Sequence, residues 1–119
     1  MPKILYIEDD PNNRALVRRI LMAYDFDVEE SDNAIDGIEL ARQTRPDLIL
    51  MDISMPGMDG LTATSEIRNI AEIADIMVIA LTANAMEGDR EMTLEAGCNG
   101  YISKPINVDT FIDEISAYL

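Results

Sequence analysis

A chain of 119 residues with 48% apolar side chains and one cysteine is a single domain of ordinary size, able to bury a core without disulfide staples. Its net charge of −14, from 23 acidic against 9 basic residues, argues against nucleic acid as a direct partner, because phosphate backbones call for clustered Lys and Arg. The absence of histidine excludes Ser-His-Asp hydrolysis, papain-like Cys-His chemistry and most zinc sites, so any metal is an oxygen-seeking ion such as Mg2+.

The run Ile4-Leu5-Tyr6-Ile7 ends in Glu8-Asp9-Asp10-Pro11 and reads as a first strand. Pro11 suits the first turn of a helix, which Asp10 or a neighbour can cap. Over residues 12–24 apolar side chains recur at 16, 17, 20, 21 and 24, a helical spacing, while Arg14, Arg18 and Met22 fall four apart on another face. Residues 26–31 form a weaker strand in which Phe26 and Val28 alternate with Asp27 and Glu29; such charge suits a sheet edge. Asn33 can cap a second helix running to residue 44, with Ala34, Ile35, Ile38 and Ala41 inward and Pro46 as its stop.

Leu48-Ile49-Leu50-Met51 is apolar throughout and runs straight into Asp52, the pattern of a strand buried on both faces. A turn-forming Met55-Pro56-Gly57-Met58-Asp59-Gly60 follows, then a helix over about 61–71 with Ala63, Ile67 and Ile70 inward. Residues 76–81 are a further fully apolar strand ending at Thr82-Ala83-Asn84. The helix predicted over about 85–96 is the poorest, with Gly88 inside and a thin apolar face of Met92 and Ala96, and Gly97 fits its C-terminal cap. Gly100-Tyr101-Ile102-Ser103 is a short fifth strand leading to Lys104-Pro105. The last helix, about 108–118, has Val108, Phe111, Ile112, Ile115 and Leu119 at helical spacing.

Strict alternation of strand and helix, five times over, predicts a parallel α/β sheet covered by helices on both faces. The apolar first, third and fourth strands are central and the charged second is an edge. No linker or repeat divides residues 1–119, which read as one domain with no effector domain attached. No apolar run approaches the ~18–20 residues of a membrane span, and no charged-then-apolar leader opens the chain. With the lone Cys98 this predicts a soluble, cytoplasmic protein.

In such a sheet the carboxyl ends of the strands open on one side, where ligands bind. The first strand brings Glu8 and Asp9 there, the third Asp52, the fourth Thr82 and the fifth Lys104. Taken singly each has a plainer role: Asp52 starts a turn, Thr82 caps a helix, Lys104 is a surface lysine. Together they are harder to dismiss. Three converging carboxylates repel one another, and a divalent cation resolves the repulsion. A hydroxyl and an ammonium alongside suit phosphoryl oxygens. The set predicts phosphoryl transfer to a carboxylate, assisted by Mg2+.

These residues carry a resemblance. Ile7-Glu8-Asp9-Asp10, the stretch from Leu50 through Asp52 to Gly60, Ala80-Leu81-Thr82-Ala83 and Gly100-Tyr101-Ile102-Ser103-Lys104-Pro105, in that order, resemble the receiver domain of two-component response regulators, close to single-domain regulators of the chemotaxis and cell-division types. The resemblance spans the whole chain. It implies a flavodoxin-like (βα)5 fold with strand order 2-1-3-4-5. It implies that Asp52 accepts a phosphoryl group from a phosphohistidine on a partner kinase or phosphotransfer protein. Asp9 and Asp52 would hold Mg2+ with the main-chain carbonyl of Ser54, and Glu8 would act through a bound water. Lys104 would pair with the phosphoryl group, next to a Lys104-Pro105 bond that is typically cis. Thr82 and Tyr101 match the pair that couples phosphorylation to the face formed by the fourth helix, fifth strand and fifth helix, where a downstream protein binds. Ser54 and Asn84 take the positions that tune phosphate lifetime. The first helix, through Arg14, Arg18 and Met22 with Ile106, would dock the kinase.

Rival readings fit less well. A haloacid-dehalogenase-like phosphatase needs an acid two residues after its nucleophile, where this chain has Ser54, and it needs room for a cap domain. A flavodoxin needs a Ser/Thr/Gly-rich phosphate loop where this chain has Glu8-Asp9-Asp10-Pro11. A receiver excised from a hybrid histidine kinase, or one that only scaffolds and is never phosphorylated, are further alternatives.

Overall fold

The structure, a computed structural model, describes residues 2–83 and 87–119, with side chains left aside at 87–90. Five strands and five helices alternate: β1 (Lys3–Ile7), α1 (Pro11–Ala23), β2 (Asp27–Ser31), α2 (Ala34–Thr44), β3 (Leu48–Asp52), α3 (Gly60–Arg68), β4 (Met77–Thr82), α4 (Glu87–Glu95), β5 (Gly100–Ser103) and α5 (Val108–Ser116). The strands form one parallel sheet in the order β2-β1-β3-β4-β5. This is the flavodoxin-like α/β architecture, with β1, β3 and β4 central and the charged β2 at an edge. Among the described residues no helix is long and apolar enough to cross a membrane.

Alternation along each strand splits the core in two. Ile4, Tyr6, Leu48, Leu50, Ile79, Leu81 and Ile102 face α1 and α5, where they meet Val17, Leu21, Phe111 and Ile115. Leu5, Ile7, Ile49, Met51, Val78 and Ala80 face the other way, toward Ala34, Ala41, Ala63 and Ile67. Asp52 continues the Leu48-Leu50 series, and Thr82 continues the Val78-Ala80 series.

The helix starts follow local chemistry. Asp10 caps α1, accepting from the Asn12 amide at 2.8 Å, with Pro11 in the first turn. Asn33 caps α2 by accepting from the Asp36 amide, and Asp59 caps α3 by accepting from the Thr62 amide, each at 2.8 Å. α2 ends where Arg45 takes a left-handed φ of 47° ahead of Pro46.

Several expectations are corrected. α3 stops at Arg68, not near 71, because the chain turns through Ile70 and Ile73 on short-range bonds. The Arg68 guanidinium then ties that turn down, donating to the carbonyls of Ala74, Ile76 and Gly97 and to Asn99 Oδ1 at 2.7–2.9 Å. Ile73, a loop residue, is thereby buried. Ile35, placed on the inner face of α2, is two-thirds exposed, and Leu16, Tyr24, Val108 and Leu119 also stand outward. Among the described side chains of α4, at 91–95, Thr93 is the buried one, while Met92 is exposed. The predicted start of that helix at 85, and Asn84, lie outside the described residues.

Candidate functional site

The carboxyl ends of β1, β3, β4 and β5 bring the sequence-predicted residues together. Glu8 follows β1 and is 1% exposed; Asp9, next in the chain, is exposed. Asp52, the last residue of β3, is 2% exposed. One carboxylate oxygen from each of Glu8, Asp9 and Asp52 lies within 4.8 Å of the others. Lys104 follows β5 and reaches across the sheet end, its Nζ 3.0 Å from Asp52 Oδ1 and 3.1 Å from Glu8 Oε1. The Lys104-Pro105 bond is cis.

The backbone that positions Asp52 is held on both sides. The Ile53 amide donates to the Leu81 carbonyl at 3.1 Å, continuing the β3–β4 ladder past the site. The Ile53 carbonyl accepts from the Gly60 amide at 3.0 Å, so α3 begins directly beneath Asp52. A side chain at 60 would press on the Asp52 carbonyl and the Ile53 Cα, so only glycine fits there without a shift of the backbone. Ser54 is exposed, and its amide donates to Asp52 Oδ1 at 3.3 Å.

Burial and charge act together on the ionisable groups. Burial first, then the Asp52 carboxylate, push Glu8 above the ordinary carboxylate range, and Lys104 pulls part of that back. Burial pushes the Lys104 ammonium down, but the Asp52 and Glu8 carboxylates outweigh it, so Lys104 titrates above the usual lysine range. Three carboxylates against one ammonium leave this recess negative. An all-oxygen donor set of that charge suits a hard divalent ion and not a thiolate- or imidazole-seeking one.

Thr82 ends β4 and is nearly buried; its carbonyl accepts from the Lys104 amide at 2.7 Å. It borders a cavity of about 230 Å³ shared with Ile53, Ser54, Leu61, Met92 and Thr93. Tyr101 is half-buried against the α2–α3 side of the core. Glu8, Asp52 and Lys104 therefore meet on the α1–α5 side of the sheet, and Thr82 and Tyr101 look to the other.

Two contributors escaped sequence reasoning. The Tyr6 hydroxyl donates to Glu8 Oε1 at 3.1 Å, and the Asn13 amide donates to the same oxygen at 3.2 Å. A tyrosine two residues before an acid on one strand shares its face, which was the available signal. On α1, Arg14 is turned inward to the Glu8 carbonyl at 2.7 Å, and Arg18 sits 3.6 Å from Glu30. Leu16, not foreseen as a surface residue, lines a second cavity of about 420 Å³ with Asn13, Lys104, Pro105 and Ile106. Met22 is well exposed one turn further along the helix from Arg18.

Comparison with known proteins agrees with this geometry. Residues 4–116 match the model of the response regulator receiver domain. The chain is 43% identical over 120 residues to the polar-differentiation response regulator DivK of Brucella anthropi, covering 100% of this chain and 98% of that protein. It is 36% identical to the receiver domain of the sensor histidine kinase PA1611 from Pseudomonas aeruginosa, whose structure has a magnesium ion coordinated in the active site cleft. The two superpose with a TM-score of 0.90 over 98% of this chain and 96% of that one. The chemotaxis protein CheY4 of Vibrio cholerae shares the fold, with a TM-score of 0.95 at 24% identity over 100% and 99% of the two chains. With three acids and a lysine converging at the strand ends of this sheet, the chain belongs to the response regulator receiver domain family of two-component systems.

Proposed function

We propose that Asp52 is the phosphoacceptor of a switch. A carboxylate oxygen of Asp52 attacks the phosphorus of a phosphohistidine on a kinase or phosphotransfer protein. The new P–O bond forms as the P–N bond breaks, and the electron pair returns to the imidazole nitrogen, which takes up a proton. The family is one of signalling modules and not of classical enzymes; in this reading the chain is the recipient and assists its own modification. The observation that carries the reading is the convergence of Glu8, Asp9 and Lys104 on a buried Asp52.

Mg2+ fits the acidic recess, where the Asp9 and Asp52 carboxylates and the Ser54 carbonyl would hold it, with Glu8 acting through water, to neutralise charge on the phosphoryl oxygens. Lys104, already in contact with Asp52, pairs with the incoming group. Such a site works by placing charges before the reaction begins.

The response follows from Thr82. A phosphoryl group on Asp52 offers its hydroxyl a charged acceptor, Thr82 moves toward it, and Tyr101 turns into the space released. The face of α4, β5 and α5 changes with them, altering the binding of a downstream protein. A shift from 1:99 to 99:1 takes ~5.5 kcal/mol of differential interaction, to which new charge-assisted bonds contribute. Ser54 and Asn84 govern access of the hydrolytic water and so the phosphate lifetime. The kinase side docks on α1, where exposed Leu16 stands beside half-buried Ile106 at the rim of the site and exposed Met22 lies further along the helix. The setting is the cytoplasm, with neither nucleic acid nor membrane as a direct partner.

Incubation with a panel of phosphorylated histidine kinases tests the reading. The wild type takes label from at least one donor in Mg2+ and loses that ability in chelator; Asp52→Asn takes none. Label persisting in Asp52→Asn would refute it.

A further inference from the structure

Glu8 is bonded asymmetrically. Three donors converge on Oε1: the Tyr6 hydroxyl at 3.1 Å, the Asn13 amide at 3.2 Å and the Lys104 ammonium at 3.1 Å. Lys104 is shared with Asp52, whereas the first two are neutral and belong to β1 and α1. Tyr6 is fully buried, in the core cluster that also holds Ile4, Leu48 and Phe111. A phenol keeps its proton throughout the physiological range, and here it is aimed at Glu8 as a donor. Glu8 is itself 1% exposed, so bulk water, as distinct from a water held on the metal, does not readily replace a protein donor that it loses.

The arrangement matters when Lys104 is drawn onto a phosphoryl group. A buried carboxylate abandoned by its cation is costly unless other donors remain. We propose that Tyr6, assisted by Asn13, is a positioning residue that keeps Glu8 satisfied and in place as Lys104 leaves it for the phosphoryl group. The inference rests on the Asp52 phosphoacceptor reading. It places the effect of the hydroxyl on the phosphoryl-bound state, where Lys104 has a further anion to pair with, and not on metal binding.

Tyr6→Phe removes the hydroxyl and keeps the ring; Asn13→Ala, on a helix surface, supplies a second variant that leaves the core untouched. Each full-length variant is titrated by amide NMR with Mg2+ alone, then with beryllofluoride at saturating Mg2+. In Tyr6→Phe the Mg2+ affinity stays within about twofold of wild type, while beryllofluoride binds about 5–10-fold more weakly, the loss of one bond to a charged group with Asn13 still in place. Asn13→Ala shows the same split with a smaller loss. Unchanged beryllofluoride affinity in both variants overturns the proposal, and so does equal weakening of both ligands, which would make Tyr6 merely part of the metal site's scaffold. Failure of the wild type to bind beryllofluoride would instead strike the phosphoacceptor reading, and the inference with it.

Discussion

The two faces of the sheet are filled with different material. Toward α1 and α5 lie Tyr6, Phe111 and a set of Ile, Leu and Val side chains with no alanine among the buried members. Toward α2 and α3 the buried set includes Ala34, Ala41, Ala63, Ala80 and Cys98. The two helices flanking β5 show the contrast most clearly. α5 buries Phe111 and Ile115 completely, each worth ~1.5–3 kcal/mol of apolar transfer. In α4, among residues 91–95, only Thr93 is buried; Met92 and Leu94 are exposed, and Met92 and Thr93 border a cavity of about 230 Å³. Glu8, Asp52 and Lys104 sit with the α1–α5 face; Thr82 and Tyr101 sit with the other. The proposed chemistry thus sits on the side where α5 is anchored by large apolar side chains, with a cavity of about 420 Å³ beside Lys104, and the proposed response lies where α4 has little buried apolar surface to hold it.

The largest predicted effect tests that contrast directly. Phe111→Ala leaves a cavity under α5 and lowers unfolding stability by about 3–5 kcal/mol in urea titration, whereas Thr93→Ala costs about 0.5–1.5 kcal/mol. Equal losses would break the comparison.

A smaller effect is expected where α3 meets the site. Gly60→Ala forces a Cβ against the Asp52 carbonyl and Ile53 Cα, costing about 1–3 kcal/mol and slowing labelling of Asp52 by a small phosphodonor. Labelling at the wild-type rate would show that the close approach of α3 does not set the position of Asp52.

The smallest effect sharpens the account of the α1–α5 face. Glu8 titrates higher in the folded protein than in the unfolded chain. Its protonated form is therefore favoured by folding, a contribution fully present below the unfolded pKa, ~4.3, and lost as pH rises through the raised folded value. In chelator, Glu8→Gln should accordingly raise the urea midpoint at pH 7, by less than Phe111→Ala lowers it, with the gain shrinking toward pH 4. A gain that is independent of pH would contradict this assignment of the strain.

Much of this was legible beforehand, for reasons that differ by region. Leu48 to Met51 and residues 77–81 announce themselves because strands buried on both faces must be apolar at every position. Asp52, Thr82 and Lys104 are legible because in a parallel sheet each must emerge at the same edge. Tyr6 was not, since a tyrosine inside an apolar run counts as apolar and its hydroxyl partner is set by strand parity. α4 was misread at Met92 because a short, polar helix has too weak an apolar stripe to reveal which side is inward; Thr93 was the inward one. The end of α3 and the burial of Ile73 depend on Arg68 reaching Gly97 and Asn99, about 30 residues away, a contact without local signature.

The central claim is that Asp52 carries the phosphoryl group, and direct mapping of the modified residue tests it. After transfer from a phosphohistidine donor, borohydride reduction converts an aspartyl phosphate to homoserine, which peptide mass spectrometry locates. The account predicts homoserine at position 52 and nowhere else; homoserine at Asp9 or another aspartate, with Asp52 unmodified, would contradict it.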